Sequence, residues 1–202
     1  QSSIIVAVPS FRANDVDIPE DIVEEVARIY GYHNIPSVLM DGALPAKLQD
    51  TPFDFEKKVK NLLKSMGGVE VYTLSLVSKK QAGENALKLK NPLGKDTEYL
   101  RTSLIPSLSS ALVDNPGNTP VHLFEVSNIY IPSNNDLPEE KMMLSGVFAH
   151  TNYRHAKGVL EALFEELNIN DIPSLQKKEN YFVYEYEMDT LMKKSKEYGK
   201  FA

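Results

Sequence analysis

The chain has 202 residues, 42% hydrophobic and 25% charged, enough for one sizeable core or a core with a small appended unit. It contains no cysteine, which excludes a disulfide framework, a thiolate metal site and a cysteine nucleophile. No apolar run approaches the roughly 18 residues of a membrane span and nothing at the start reads as a signal peptide, so no membrane association and a cytoplasmic location are expected. The formal charge of −6 argues against a general electrostatic trap for phosphate backbones. That charge is unevenly placed. Residues 1–50 carry eight carboxylates against three basic side chains, and the remaining twenty acids nearly balance nineteen bases.

Ser3-Ile4-Ile5-Val6-Ala7-Val8 is β-branched and apolar and stops at Pro9, which predicts a strand. Its start without preamble suggests a piece of a longer chain. A helix is predicted over about 18–31, with Pro19 in its first turn, Ile22, Val26 and Ile29 at helical spacing, and Gly31 as its stop. Prolines 36, 45 and 52 with Gly42 mark a linker. A second helix follows, with Thr51 as cap, Phe55, Val59, Leu62 and Met66 inward, and Gly67-Gly68 at its end. Strands are expected over 69–77, 86–91, 121–131, 142–149 and 181–188, and helices over 104–113 and 156–167. This irregular order predicts α+β with a largely antiparallel sheet. The divisions are 1–36, a linker at 37–50, and a core from 51 to 202.

Asp21, Glu24 and Glu25 fall at i, i+3 and i+4, so one helix face carries three carboxylates, with Asp15 just ahead. Oxygen donors in this number suit a hard cation such as Mg²⁺. The same spacing also fits a solvated acidic face with one Glu24–Arg28 pair.

Val8-Pro9-Ser10-Phe11-Arg12, Asp21-Ile22-Val23-Glu24-Glu25-Val26-Ala27-Arg28-Ile29-Tyr30-Gly31-Tyr32 and Asn34-Ile35-Pro36 together resemble the β subunit of phenylalanine–tRNA ligase, bacterial type. The resemblance continues through Asn91-Pro92-Leu93, Leu100-Arg101-Thr102-Ser103-Leu104-Ile105-Pro106, Leu123-Phe124-Glu125-Val126-Ser127 and Lys157-Gly158-Val159-Leu160-Glu161. It implies that residues 1–36 end a small α/β domain, and that the core has the class II aminoacyl-tRNA synthetase-like fold, an antiparallel sheet flanked by helices. It implies Mg²⁺ ligands at Asp15, Asp21, Glu24 and Glu25, shared with a catalytic α subunit that uses ATP. Two α and two β chains would assemble, with tRNA(Phe) bound by the full enzyme. It also implies more chain near 115–118, 150–153 and 175–184, and further domains on either side.

Adenylate formation needs positioned cations on phosphate. The class II signatures supply arginines, one at the end of a strand and one after a Gly-x-Gly turn. Here Ile131 holds the first place and there is no Gly-x-Gly. Of four arginines, Arg12 and Arg28 belong to the front segment, leaving Arg101 and Arg154. Arg101 is expected to pair with Glu98 or to cap the following helix. His33, His122, His150 and His155 are expected at the surface or an interface. No catalytic or cofactor-binding residue is therefore expected, and the segment reads as a structural part of the ligase. An autonomous class II-like ATP-dependent ligase and an unrelated nucleic-acid-binding module are the alternatives. The missing arginines weigh against the first, and the charge and lack of a basic aromatic cluster against the second.

Overall fold

Proline has no N–H to leave unpaired at a helix start, and Pro19 opens helix α1 (Pro19–Tyr30). The computed structural model describes residues 4–39, 41–42, 51–117, 119–134 and 137–199, and the chain divides into two units, Gln1–Lys47 and Leu48–Ala202. In the first unit the Asp21 carboxylate accepts the backbone N–H groups of Asp17 and Ile18 at 2.8 and 3.0 Å, satisfying donors at the helix entrance. Gly31 closes the helix at φ 92, where a Cβ would meet the His33 ring at 2.6 Å. Short 3-10 turns lie at Ser10–Arg12 and Tyr32–Asn34.

The helix falls where its periodicity placed it, but its apolar stripe is not buried within this unit. Val23, Val26 and Ile29 are 66%, 65% and 85% exposed. The strand expected over Ser3–Val8 does not form at residues 4–8. A strand needs a neighbouring backbone for its ladder, and no described segment pairs with this one. Most of the linker expected at 37–50 lies outside the described residues.

The second unit opens with α2 (Thr51–Ser65), followed by β1 (Val69–Glu70), β2 (Leu76–Val77), β3 (Tyr99–Leu100), α3 (Ile105–Asp114), β4 (Val121–Ile131), β5 (Glu139–Ala149), α4 (Tyr153–Glu166), β6 (Gln176–Lys178), β7 (Tyr181–Glu187) and α5 (Met188–Lys194). Five strands form one sheet in the order β1-β4-β5-β7-β6, and β2 with β3 forms a small second one. Among the described residues only the β1–β4 pairing is parallel. β4 and β5 pair along their whole lengths, from Val121 opposite Ala149 to Ile131 opposite Glu139.

Side chains alternate across this sheet, so each strand feeds two cores. On one face, Phe124, Val126, Leu144, Phe148 and Tyr184 pack against Phe55, Val59 and Leu63 of α2, Leu160 and Leu163 of α4, and Leu191 of α5. On the other, Leu123, Ile129, Val147 and Val183 meet Leu104 and Leu108 at α3. Each fully buried Leu or Phe contributes about 1.5–3 kcal/mol. Gly146 is required on the first face, because a Cβ there would lie 2.4 Å from the Tyr184 hydroxyl.

Several expectations are corrected. The stretch 69–77 is two short strands in different sheets, because at Thr73, between them, the N–H and carbonyl bond to the side chains of Glu125 and Arg101 instead of a ladder. Residues 86–91 make one bridge, Lys88 with Tyr99, in place of a strand. In α2 it is Leu63 that is fully buried, while Leu62 and, just past the helix, Met66 are half-buried. Strand β6 (Gln-Lys-Lys) has no apolar residue and helix α5 has a single apolar turn, Met188, Leu191 and Met192, too short to stand out, and neither is among the expected elements.

His122 is also a correction, since it is buried among Phe124, Phe148 and Tyr184. It stacks on Phe148 with ring centroids 3.9 Å apart, and its Nε2 is hydrogen bonded to the Tyr184 hydroxyl at 2.9 Å. Burial, aided by the charge of His155, pushes its pKa down to about 3. Below the ordinary histidine value of 6.5 the unfolded chain takes up a proton that the folded chain refuses until about pH 3. Stability attributable to this residue therefore falls as pH drops through that window. His122→Phe keeps the stacked ring and loses the bond to Tyr184. It should cost about 1 kcal/mol at pH 7, yet show a shallower acid loss between pH 6.5 and 3 in urea midpoints.

Candidate functional site

Three of the four carboxylates singled out in the front segment, Asp15, Asp21 and Glu25, are drawn into contacts within it. Arg12 stands between two of them, with Nε donating to Asp15 at 2.8 Å and Nη2 to Glu25 Oε1 at 2.7 Å. Arg28 Nη2 donates to Glu25 Oε2, so the i, i+3 pair with Glu25 replaces the expected Glu24–Arg28 pair. Hydrogen bonds from Arg12 and then Arg28 hold the Glu25 carboxyl below the usual carboxylate range. The N–H groups of Ile18 and Asp17 do the same for Asp21. Glu24 is exposed and has no ion pair or hydrogen bond among the described residues.

The donor chemistry suits Mg²⁺. The arrangement within this chain does not assemble it. Among the described residues no three carboxylate, histidine or cysteine groups converge as a metal site. A cation bridging Asp15 and Glu25 would first have to displace Arg12. Spacing along the helix revealed the acids, but not the arginine three residues before Asp15 that neutralises them.

The second polar centre lies in the core, on the sheet face covered by α3. Arg101 and Glu125 are each 1% exposed and meet at 3.1 Å. Arg101 Nε donates to the Asn128 carbonyl at 2.9 Å, Nη1 to the Thr73 carbonyl and hydroxyl at 3.2 and 2.8 Å, and Nη2 to Ser127 Oγ at 2.6 Å. Glu125 in turn accepts the Thr73 N–H at 3.2 Å and its hydroxyl at 2.7 Å. A charge this deeply buried survives only when paired and hydrogen bonded, and this pair is. Arg101 therefore pairs with Glu125, while Glu98 pairs with Lys88.

Beside it, the half-buried Glu185 accepts Ser103 Oγ at 3.0 Å, Ser145 Oγ at 2.7 Å and the Leu104 N–H at the entrance to α3 at 2.9 Å. Sequence reasoning missed Glu125, Glu185, Thr73 and Ser127. The signal was an acid inside the apolar runs Leu123-Phe124-Glu125-Val126 and Tyr181-Phe182-Val183-Tyr184-Glu185. An inward-facing acid in a strand demands a buried partner.

A largely antiparallel sheet with helices on both faces is the architecture of the class II aminoacyl-tRNA synthetase fold. Two solved structures of pyrrolysyl-tRNA synthetase from Desulfitobacterium hafniense resemble it at 14% identity, with TM-scores of 0.54 and 0.55. They cover 70% and 86% of this chain, and 67% and 76% of theirs. Residues 35–202 match the phenylalanyl tRNA synthetase beta chain CLM domain, and residues 1–32 the tRNA synthetase B5 domain. The chain belongs to the phenylalanyl-tRNA synthetase β-chain family. Among its relatives named phenylalanine–tRNA ligase beta subunit, that of Clostridium tetani is 35% identical over 81% of this chain. That of Carboxydothermus hydrogenoformans is 30% identical over 91%. The chain spans 22% and 26% of the lengths of these two relatives.

Arg101→Met leaves Glu125 buried without its cation and should cost about 3–5 kcal/mol. Adding Glu125→Leu should recover part of that loss. Chemical denaturation of both single variants and the double variant measures the coupling, and strictly additive losses would show that the pair acts as two independent residues.

Proposed function

We propose that this chain is the part of a phenylalanine–tRNA ligase β subunit that packs on the catalytic α subunit and contributes structure, not chemistry. The working enzyme is cytoplasmic, joins phenylalanine to tRNA(Phe) at the expense of ATP on the α subunit, and assembles from two α and two β chains. Residues 1–36 form the end of the small metal-carrying domain, 37–50 the linker, and 51–202 the synthetase-like core.

The observation that carries this reading is the state of Arg101. The one arginine buried in the core has donors engaged by Glu125, Thr73, Ser127 and Asn128. It is not presented to a phosphate. Ile131 ends β4 where a class II signature arginine would stand, and Arg154 is exposed on α4. Removing one charge-stabilising donor from an active site costs roughly 3–4 kcal/mol. A site lacking two would be close to inert. An exposed apolar strip at the edge strand β1 and just beyond it, with Val69 53%, Tyr72 77% and Leu74 72% exposed, supports a partner chain.

The purified chain should give no phenylalanine-dependent exchange of pyrophosphate into ATP. Exchange by the chain alone, abolished by Arg101→Ala, would replace the structural reading with a catalytic one.

The proposed Mg²⁺ site at Asp15, Asp21, Glu24 and Glu25 is shared with the α subunit. Because Arg12 and helix capping engage three of these groups, the isolated chain should bind Mg²⁺ weakly or not at all. In the assembled enzyme, Glu24→Gln with Glu25→Gln should shift the magnesium dependence of aminoacylation to higher concentration. An unchanged magnesium titration in that double variant would remove the site.

A further inference from the structure

Helix α3 lies over β4, β5 and β7 and leaves part of the sheet edge uncovered. A cavity of about 290 Å³ opens there. Val71, Ala111, Leu112, Val121 and Leu123 form its buried and half-buried walls, from β4, α3 and the residue after β1. The exposed lining residues Asn115, Thr119 and His150 form its mouth. Among the described residues no lysine, arginine, aspartate or glutamate lines it.

The mouth carries hydrogen-bonding groups that the fold does not use. Asn115 Nδ2 donates to the Ala111 carbonyl at 2.8 Å, which leaves its carbonyl oxygen. The Thr119 hydroxyl and the His150 imidazole have no hydrogen bond among the described residues. His150 adopts φ 53, the left-handed region that non-glycine residues seldom occupy. That reversal ends β5 and sets an imidazole at the opening of an apolar hollow. A backbone held in this region at the rim of a cavity is the kind of feature that accompanies binding sites.

We propose that this cavity is a binding site for a small, uncharged, single-ring molecule that carries one hydrogen-bonding group. Size sets the first requirement, since an apolar cavity of about 150 Å³ already accepts benzene and typical ligand pockets begin near 300 Å³. Lining chemistry sets the second. An ionised ligand would lose its water here and find no counter-charge. A ring against the valine, leucine and alanine walls, with a hydroxyl directed to Asn115, Thr119 or His150, satisfies both. The site is separate from the Arg101–Glu125 cluster and does not depend on the ligase reading.

The test is a ¹H–¹⁵N NMR titration of the 202-residue chain with p-cresol, with toluene and benzoate as comparisons. Saturable shifts should centre on Ala111, Leu112, Val121 and Leu123. Ala111→Phe, which places a ring in the cavity, should weaken p-cresol at least about tenfold. If that variant loses its dispersed spectrum, Val69→Trp at the half-exposed rim serves the same purpose. Thr119→Val with His150→Gly should weaken p-cresol several-fold and leave toluene unchanged, and benzoate should not compete. Shifts that do not saturate, that map elsewhere, or that survive both filling variants would overturn the site. Equal effects of the mouth variants on p-cresol and toluene, or competition by benzoate, would overturn the ligand class.

Discussion

Burying a guanidinium and a carboxylate removes two strongly hydrated ions from water, and much of the core's geometry follows from how Arg101 and Glu125 recover that loss. Their mutual contact alone does not suffice. The remaining donors and acceptors reach Thr73, Ser127 and Asn128, which ties the segment after β1, the end of β3 and the middle of β4 into one unit. The Arg101 backbone completes the tie, donating to Ser75 and accepting from Tyr130. A short edge strand with only two ladder residues is thereby held without a long ladder.

The β4–β5 pairing is the other fixed element. Its full-length register places every second side chain on the face shared with α2, α4 and α5, and the rest on the face shared with α3. The two faces differ in kind. The first is almost wholly apolar, and even its histidine is kept neutral by burial. The second contains Glu125, Ser127, Ser145 and Glu185 within an otherwise aliphatic surface. The sheet thus keeps polar groups at its centre, and uses them to hold its own backbone.

The front unit follows a different logic. Asp21 stabilises the start of α1 by accepting two N–H groups, and Arg12 and Arg28 offset the repulsion among the acids that follow. Its polar face is internally compensated, whereas its apolar stripe is exposed within the unit. A helix of twelve residues draws little stability from propensity alone, so that stripe marks what the unit lacks by itself.

Much of this was readable from residues. Helical spacing located α1, α2, α3 and α4, and apolar runs, aromatic in β7, located β4, β5 and β7, because local patterning reflects a face that must be buried. Pro19, Gly31 and Gly67-Gly68 marked helix ends through backbone restriction alone. The quoted motif blocks carried the family. What only the tertiary structure decided was pairing across long sequence distance. Arg101 chose Glu125 over the nearby Glu98, Glu25 drew Arg12 as well as Arg28, and His122 entered the core. Residues 4–8 have strand composition without a ladder partner among the described residues, and the short β6 and α5 exist because β7 and the first core lie beside them. Composition and spacing report what a segment can do locally. Which distant charge, edge or ring satisfies it is settled only when burial removes the option of water.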